Sequence, residues 1–173
     1  MNGGTRWMAR VLARRGAALC PGLSAWLWMA ALLGALAWLD HAHGGAFLIP
    51  PFAATLTILV YLPGVTVAQP LAVVCGSVAG AALGTGLSAL LGFGPGVAML
   101  AALSAAIVLP SLRIFHPPGI ALAMYPALLH PGPLFAVEVV LPFTLAAVTS
   151  AALMSRLLPV FPRYPTPLRR KAD

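Results

Sequence analysis

Charged side chains are scarce in this chain of 173 residues. They make up 8% of it, and three of them are Asp or Glu, whereas a soluble domain averages about 25% charged residues. Apolar residues make up 61% of the chain, and its mean hydropathy is +0.97. This composition excludes a soluble globular domain and indicates an integral membrane protein with a single domain.

Cysteine is also rare, and the two present, Cys20 and Cys75, lie in different apolar stretches. Neither has a second cysteine or a histidine nearby at the spacing of metal ligands, so we interpret both as small apolar side chains. The sequence also contains no nucleophile–base pair, metal cluster or phosphate-binding loop. We therefore expect no cofactor, no bound metal and no enzymatic activity.

Most of the basic charge lies at the two ends of the chain. The net charge is +7, but no soluble domain exists to carry a nucleic-acid-binding patch. Basic residues close to membrane spans mark the cytoplasmic side, so we predict that both termini are cytoplasmic and that the number of spans is even. These residues are Arg6, Arg10, Arg14 and Arg15 before the first apolar run, and Arg156, Arg163, Arg169, Arg170 and Lys171 at or after the end of the last.

The charge pattern divides the chain into three parts. Residues 1–16 form a basic cytoplasmic segment, residues 17–160 a transmembrane domain, and residues 161–173 a basic cytoplasmic tail. The apolar run at 17–39 is too long for the apolar region of a signal peptide, and no small-residue cleavage site follows it. We interpret it as a retained helix in contact with the lipid bilayer.

Six helices are predicted, with Gly and Pro (17 of each) marking their ends. The polar stretch at 40–45, which contains Asp40, His41 and His43, is interpreted as a solvated loop, because two histidines alone make no metal site. The second and fifth helices are short, and at about 18 Å the fifth falls well below the ~30 Å of a hydrocarbon core. The predicted helices cover residues 22–39, 50–62, 69–91, 97–112, 117–129 and 134–158.

The third predicted helix carries a small residue at every fourth position. Small side chains allow helix backbones to approach closely in lipid. The pattern therefore predicts tight packing, either within one protomer or between the protomers of a homo-oligomer. The residues are Ala72, Gly76, Gly80, Gly84 and Ser88.

The helices suggest an internal repeat of a long, a short and a long helix. Both short helices begin with a proline pair, Pro50-Pro51 and Pro117-Pro118, and short Pro-interrupted segments at matching positions point to a transporter-type site. Two topologies are open: six spans with inverted units, or four spans with re-entrant short helices. The six-span form is favoured, because it places Arg113 on the cytoplasmic side.

Ionisable residues at membrane depth are costly and are functional candidates by default. His116, just before the Pro117-Pro118 pair, either donates to an anion or carries a proton, or it caps the fifth helix or bonds a nearby carbonyl. Arg113 either strengthens an anion site or marks the interface. Glu138 serves proton coupling, or it forms a salt bridge or is a shallow interfacial carboxylate near the helix start. The further pathway candidates are Gly119, whose amide opens a helix, together with Pro50, Pro51, Thr55 and Gln69.

The motif His116-Pro117-Pro118 resembles the signature of the HPP family of integral membrane proteins. The segments Pro51-Phe52-Ala53-Ala54-Thr55 and Ala68-Gln69-Pro70, and the pair Tyr164-Pro165, are also similar to that family. The resemblance covers residues 20–166. It implies a multi-spanning protein of the bacterial cytoplasmic (inner) membrane and, because some relatives are implicated in nitrite transport, a small-anion permease.

The chain departs from the family pattern at several polar positions. Where the family commonly has Arg, Asn and His after the "AQP" segment, this chain has Leu71, Ala72 and Ser77. The polar complement near the presumed site is therefore reduced. Two hypotheses follow: a permease for a small inorganic anion, nitrite-like by resemblance, or a non-transporting subunit that assembles a membrane complex. A polar cavity where the two proline pairs meet would favour the first, and a sealed apolar interface the second.

Overall fold

A computed structural model describes residues 21–44 and 47–166. The basic segment 1–16, Cys20 and the basic residues at 169–171 lie outside the described residues. The predicted all-α membrane bundle of six helices is confirmed, and residues 21–44 and 47–166 contain no β-strand. The helices are α1 (Leu23–His43), α2 (Pro50–Tyr61), α3 (Pro70–Leu91), α4 (Pro95–Ser111), α5 (Pro117–Leu129) and α6 (Leu141–Leu157).

Proline determines where most of the helices begin. The first residues of α2, α3, α4 and α5 are Pro50, Pro70, Pro95 and Pro117. A proline in the first turn costs no hydrogen bond, because the amides there have no intrahelical acceptor. This is why the predicted starts of these helices agree with the structure to within about two residues.

The first helix is longer than predicted, and the solvated loop expected at residues 40–45 is wrong for its first part. Asp40, His41 and His43 form the last turn of α1. The helix stops at Gly44, which adopts a left-handed conformation (φ 61°) and donates its amide to the Asp40 carbonyl at 2.9 Å. The Asp40 carboxylate also accepts the Phe47 amide at 2.9 Å. Glycine supports such a C-terminal stop better than any other residue.

The last helix begins with an irregular turn that the sequence reading did not predict. Residues Ala136–Val140 form a π-helical turn, and the Leu141 amide bonds the Ala136 carbonyl five residues back. Pro142 follows in the first turn of α6 and has no amide to donate to the residue four positions earlier. A π-helical turn is a known way for a helix to accommodate one missing backbone hydrogen bond. Glu138 lies exposed within this turn.

The start of α1, the end of α6 and several loops lie together at what we call the terminal end of the bundle. A Cβ added to Gly22, just before α1, would lie 3.0 Å from Val160, just after α6. The Thr166 hydroxyl donates to the Pro63 carbonyl, after α2, at 2.8 Å. His116, just before α5, contacts the Val67 carbonyl, just before α3. Thus α1, α3 and α5 begin at this end, and α2 and α6 finish there.

The remaining turns lie at the opposite, distal end. Asp40 of α1, Ile49 before α2 and Leu129 of α5 line one pocket there. The Gly94 amide, before α4, donates to the Ala127 carbonyl near the end of α5 at 2.9 Å. Successive helices therefore run in alternating directions, as the favoured six-span topology requires. The two halves are inverted relative to each other, although their helices do not pack in equivalent ways.

The six helices differ in how much of a bilayer their lengths can cross. Leu23–His43, Pro70–Leu91 and Ala136–Leu157 are long and apolar enough to cross a membrane. The shorter α2, with 12 residues, and α5, with 13 residues, extend about 18–20 Å at 1.5 Å per residue. Both short helices are therefore shorter than the hydrocarbon core that the long helices match.

Charge is distributed unevenly between the two ends. The three arginines within the described residues, Arg113, Arg156 and Arg163, lie at or near the terminal end. The two described carboxylates, Asp40 and Glu138, lie toward the distal end. The basic side chains within the described residues are therefore concentrated at one end of the bundle.

The small-residue face of α3 packs against α5 within the protomer. A Cβ on Gly76, Gly80 or Gly84 would overlap the backbone carbonyl of Ile114, Gly119 or Ala123, respectively. The paired numbers rise together, so α3 and α5 run parallel in backbone contact. Ala72 and Ser88, at the two ends of this face, are also buried. Because α5 covers the face, it is not free for the homo-oligomer contact suggested by the sequence, and an oligomer would need another surface.

The segment after α6 packs on the bundle and is not a separate tail. The Phe161 and Tyr164 side chains are 4% and 3% exposed and belong to the apolar core. Phe161 lies edge-on to Trp28 with ring centroids 5.6 Å apart, and the Trp28 indole donates to Ser150 at 3.0 Å. Burial also raises the pKa of the Tyr164 hydroxyl. The domain boundary predicted at residue 160 therefore falls too early for residues 161–166.

Candidate functional site

The stretch before α5 is positioned by the end of α4. The Arg113 amide donates to the Pro110 carbonyl at 2.9 Å, and the Ile114 amide donates to the Leu109 carbonyl at 3.0 Å. Together these bonds form a Schellman-type stop, which normally places glycine where Arg113 stands. Arg113 has φ 57°, a conformation that disfavours residues with a Cβ. The turn directs residues 114–116 back into the bundle and leaves the Arg113 side chain exposed.

His116 lies at the centre of the candidate site and is completely buried. Its Nδ1 is 2.7 Å from the Val67 carbonyl oxygen, before α3. Its Nε2 is 3.0 Å from the Thr55 hydroxyl oxygen, on α2. The imidazole therefore connects the start of α5 with the middle of α2 and with the loop that leads into α3.

The same hydroxyl has a second neighbour. Thr55 Oγ1 lies 3.0 Å from the carbonyl oxygen of Pro51, one turn back on α2. One hydroxyl thus faces two acceptors, the Pro51 carbonyl and the His116 ring nitrogen, when that nitrogen is unprotonated. We refer to His116, Thr55, Pro51 and Val67 as the histidine cluster.

The amides at the start of α5 are less available for an anion than the sequence suggested. Pro117 and Pro118 have no amide hydrogen, and the Gly119 amide donates to the His116 carbonyl at 2.9 Å. Gly119 is also buried against the backbone of Gly76. In this conformation the helix start offers the anion no free amide at residues 117–119, and the His116 side chain has no bond that caps α5.

The two proline pairs line one cleft between the short helices. The cleft has a volume of about 400 Å³ and opens to the bundle surface between α2 and α5. Its walls are predominantly apolar, with Ala54 of α2 and Ala121 of α5 among them. Because the short helices run antiparallel, the two pairs enter the cleft from opposite ends. The polar cavity expected for a transporter at this junction is not formed in this conformation.

A polar pocket is present at the distal end instead. Asp40, Ile49, Leu129 and His130 are among its lining residues, and its volume is about 500 Å³. His130 follows α5 and, like Arg113 before it, adopts a left-handed backbone conformation, with φ 50°. Its ring also lies edge-on to Phe93, with centroids 4.1 Å apart. The sequence analysis gave no role to His130 and did not predict this pocket.

The other polar candidates do not join the histidine cluster. Glu138 lies toward the distal end, whereas His116 lies toward the terminal end. Gln69 ends the short turn before α3, and its side-chain amide reaches only the Val65 carbonyl of that turn, at 3.4 Å. No group of three or more His, Cys, Asp or Glu residues is placed to hold a metal in residues 21–44 and 47–166.

The three positions that depart from the family pattern have different environments. Leu71 is 64% exposed on the outside of α3, where an apolar side chain suits lipid. Ala72 is buried on the small-residue face. Ser77 is fully buried, and its hydroxyl has no hydrogen-bond partner within the described part of the chain.

One partner of His116 could not be found from sequence. The Val67 carbonyl is a backbone group, and no side-chain pattern marks it as an acceptor for a histidine 49 residues away. Thr55 was predicted as a pathway candidate, but its pairing with His116 depends on how α2 and α5 cross. The cluster is therefore a product of the tertiary fold.

Comparison with known families gave one match. The family described as "HPP, transmembrane region" matches residues 14–165, which is most of the chain and includes the histidine cluster. The match also extends past α6 to the packed residues 161–165. No significant match was found among curated proteins or among solved structures.

Proposed function

The chain belongs to the HPP transmembrane family, and on that premise we propose that it is a multi-pass membrane permease for a small inorganic anion. The observation that carries the proposal is the pairing of two short antiparallel helices through His116 and Thr55. By family resemblance, a nitrite-like anion is the leading substrate. We propose no enzymatic activity and no resident cofactor.

The inverted arrangement of the two halves supports a transport role. In many transporters, inverted units place their interrupted or short helices at the substrate site, and one unit moves against the other. Here α2 and α5 occupy corresponding positions in the two halves. Both are about 10 Å shorter than a typical hydrocarbon core, so a path between them would cross less apolar material than a path beside α3.

The conformation described corresponds to a closed state of such a path. The His116 ring is buried and both of its nitrogens have protein partners. Separation of α2 from α5 would break the contact with Thr55 and release an imidazole nitrogen toward the cleft. A histidine freed in this way can donate a hydrogen bond from that nitrogen to a small anion once the ring is protonated.

The positive charge near His116 also supports a permease for anions. Arg113 is exposed at the terminal end, three residues from His116, and a positive charge beside a channel mouth raises the local concentration of anions. We further propose that the protein resides in a bacterial cytoplasmic membrane with the terminal end inside. The charge difference between the two ends supports this orientation.

Anion flux in proteoliposomes tests the proposal. The purified protein is reconstituted, and uptake of nitrite, nitrate and chloride is followed for wild type, His116→Ala and the control His41→Gln, an exposed histidine of α1. We expect wild type and His41→Gln to transport at least one of these anions and His116→Ala to transport none above protein-free vesicles. Equal flux for His116→Ala and wild type would remove His116 from the mechanism.

The apolar cleft favours a second candidate function, assembly of a membrane complex. A groove lined by the two proline pairs, Ala54 and Ala121 suits a transmembrane helix better than an anion. In that case Ala121→Trp, which fills the cleft, would reduce the mass of the particle extracted in mild detergent. A mass unchanged by Ala121→Trp, combined with anion flux in the wild type, would exclude this alternative.

A further inference from the structure

We propose that the cleft between α2 and α5 and the polar pocket beyond its distal end form one binding site for a phospholipid whose headgroup carries a primary ammonium group. An acyl chain of the lipid lies in the cleft, and its headgroup lies in the pocket. The inference goes beyond the proposed function, because it holds whether or not the protein moves an anion. The shape, the continuity and the charge of the two cavities support it.

The cleft is a groove that runs along the two short helices. Its lining residues recur about once per turn, from Pro50 to Ile58 on α2 and from Pro117 to Tyr125 on α5. At 1.5 Å per residue, this span gives the groove a length of about 12 Å. Ala54 and Ala121 lie in the middle of the two helix faces, and their methyl side chains leave the gap between the helices open.

The groove is open toward the surrounding membrane. Pro50, Ala54 and Pro117 are exposed on the side of the bundle, and this side faces lipid in a membrane-spanning protein. A polar ligand in the apolar groove would lose its hydration without gaining hydrogen bonds. An acyl chain has no polar group to satisfy, so it suits the volume of about 400 Å³ that the groove offers.

The polar pocket continues the groove at the distal end of the short helices. Ile49 lines the pocket, and its neighbour Pro50 lines the groove. On α5, Leu129 lines the pocket, and Tyr125, one turn earlier, lines the groove. An apolar groove that is open to lipid thus leads into a polar pocket near the end of a membrane span. This sequence of environments matches that of an amphipathic lipid.

The charge of the pocket favours a cationic group. Asp40 contributes a half-buried carboxylate, one oxygen of which accepts the Phe47 amide at 2.9 Å. Helices α1 and α5 both end at this pocket, at Gly44 and Leu129, and the C-terminal end of a helix carries a partial negative charge. Every described arginine lies at or near the opposite end, and the described part of the chain has no lysine.

The second polar side chain of the pocket suits the phosphate of the same lipid. His130 lines the pocket beside Asp40, and an imidazole N–H can donate to a phosphate oxygen. A primary ammonium group can donate up to three hydrogen bonds to the carboxylate and nearby carbonyls, whereas a quaternary ammonium group donates none. A headgroup without a cation would place its phosphate against Asp40 unshielded. A transmembrane helix would fit the cleft but would leave the polar pocket at its end without a role.

Native mass spectrometry of the purified protein in mild detergent tests the proposal. The protein is mixed with equal amounts of phosphatidylethanolamine, phosphatidylcholine and phosphatidylglycerol that have identical acyl chains, and the retained lipid is identified by its mass. Asp40→Asn keeps an acceptor for Phe47 but removes the charge, and Glu138→Gln, at the other described carboxylate, is its control. Ala54→Trp fills the cleft, and Thr57→Trp, exposed on α2 outside the cleft, is its control.

We expect the wild type to retain phosphatidylethanolamine about tenfold more than either other lipid, the effect of one charge-assisted hydrogen bond. Glu138→Gln should match the wild type, Asp40→Asn should retain the three lipids equally, and Ala54→Trp, unlike Thr57→Trp, should retain none. Equal retention of the three lipids by the wild type, or full selectivity in Asp40→Asn, would overturn the proposal. Equal lipid binding by Ala54→Trp and Thr57→Trp, or a polypeptide bound in place of the lipid, would also overturn it.

Discussion

At the scale of single residues, His116 shows how a buried polar side chain connects parts of a membrane bundle. Its two ring nitrogens contact Thr55 on α2 and the Val67 carbonyl before α3. Interhelical hydrogen bonds in membrane proteins contribute about 0.6 to 1.7 kcal/mol each. That contribution is large enough to hold α2 against α5 at rest and small enough for a transport cycle to break it.

Two threonines of α2 provide a matched test of this contact. Thr55 is buried and faces His116, whereas Thr57, two residues on, is exposed and bonds only the Ala53 carbonyl of its own helix. Thr55→Val removes the interhelical bond at constant volume and should destabilise the protein by about 0.6 to 1.7 kcal/mol. Thr57→Val should change stability by less than about 0.5 kcal/mol.

Unfolding in detergent, followed by circular dichroism for both variants, checks this expectation. If the two variants lose equal stability, the bond between Thr55 and His116 contributes nothing measurable to the fold.

At the scale of helices, the contact between α3 and α5 depends on the absence of side chains. Backbone carbonyls of α5 and of Ile114, just before it, occupy the space where Cβ atoms of Gly76, Gly80 and Gly84 would lie. The sequence predicted this packing face from its four-residue spacing. It could not show whether α5 or a second protomer covers the face, because the spacing describes only one of the two partners.

Glycines on the same helix allow a direct comparison. An alanine at position 80 would overlap the Gly119 carbonyl, whereas an alanine at position 86 would contact nothing within 4 Å. Gly80→Ala should separate α3 from α5 and destabilise the protein by about 1–3 kcal/mol. Gly86→Ala should be neutral or stabilise it by up to about 1 kcal/mol, because alanine favours the helix.

Thermal unfolding of the two variants in the same detergent measures this difference. A Gly80→Ala protein as stable as Gly86→Ala would mean that α3 and α5 are not in backbone contact.

Sequence alone identified all six helices, because proline and glycine mark their ends and the runs between them are apolar. It misplaced the end of α1, because Asp40 and His43 look like a loop although Gly44 is the residue that stops the helix. It also separated Phe161 and Tyr164 from the domain. Their burial depends on contact with Trp28 and other distant residues, which no local pattern reveals.

At the scale of the whole molecule, six helices of alternating direction place Arg113 at the same end of the bundle as the start of α1 and the end of α6. The labelling prediction uses a protein with Cys20 and Cys75 replaced by alanine and one cysteine introduced at position 113 or 132. Both positions are exposed, the first at the terminal end and the second at the distal end. An impermeant thiol reagent should label Arg113→Cys from the cytoplasmic side and Gly132→Cys from the opposite side.

Right-side-out and inverted membrane vesicles give the two labelling directions. Labelling of both positions from one side would contradict the alternating topology, and labelling of each from the reverse side would contradict the proposed orientation.

The central claim is that α2 and α5 separate during anion transport, and cross-linking of these helices tests it most directly. Ala54→Cys and Ala121→Cys, in the background without Cys20 and Cys75, place one thiol on each wall of the cleft between the short helices. Anion flux is measured before treatment with a short bis-methanethiosulfonate reagent, after treatment, and after reduction, with each single-cysteine protein as a control. We predict that the cross-link abolishes flux, that reduction restores it, and that neither single variant is inhibited. Undiminished flux through a protein shown by mass to be fully cross-linked would contradict the account.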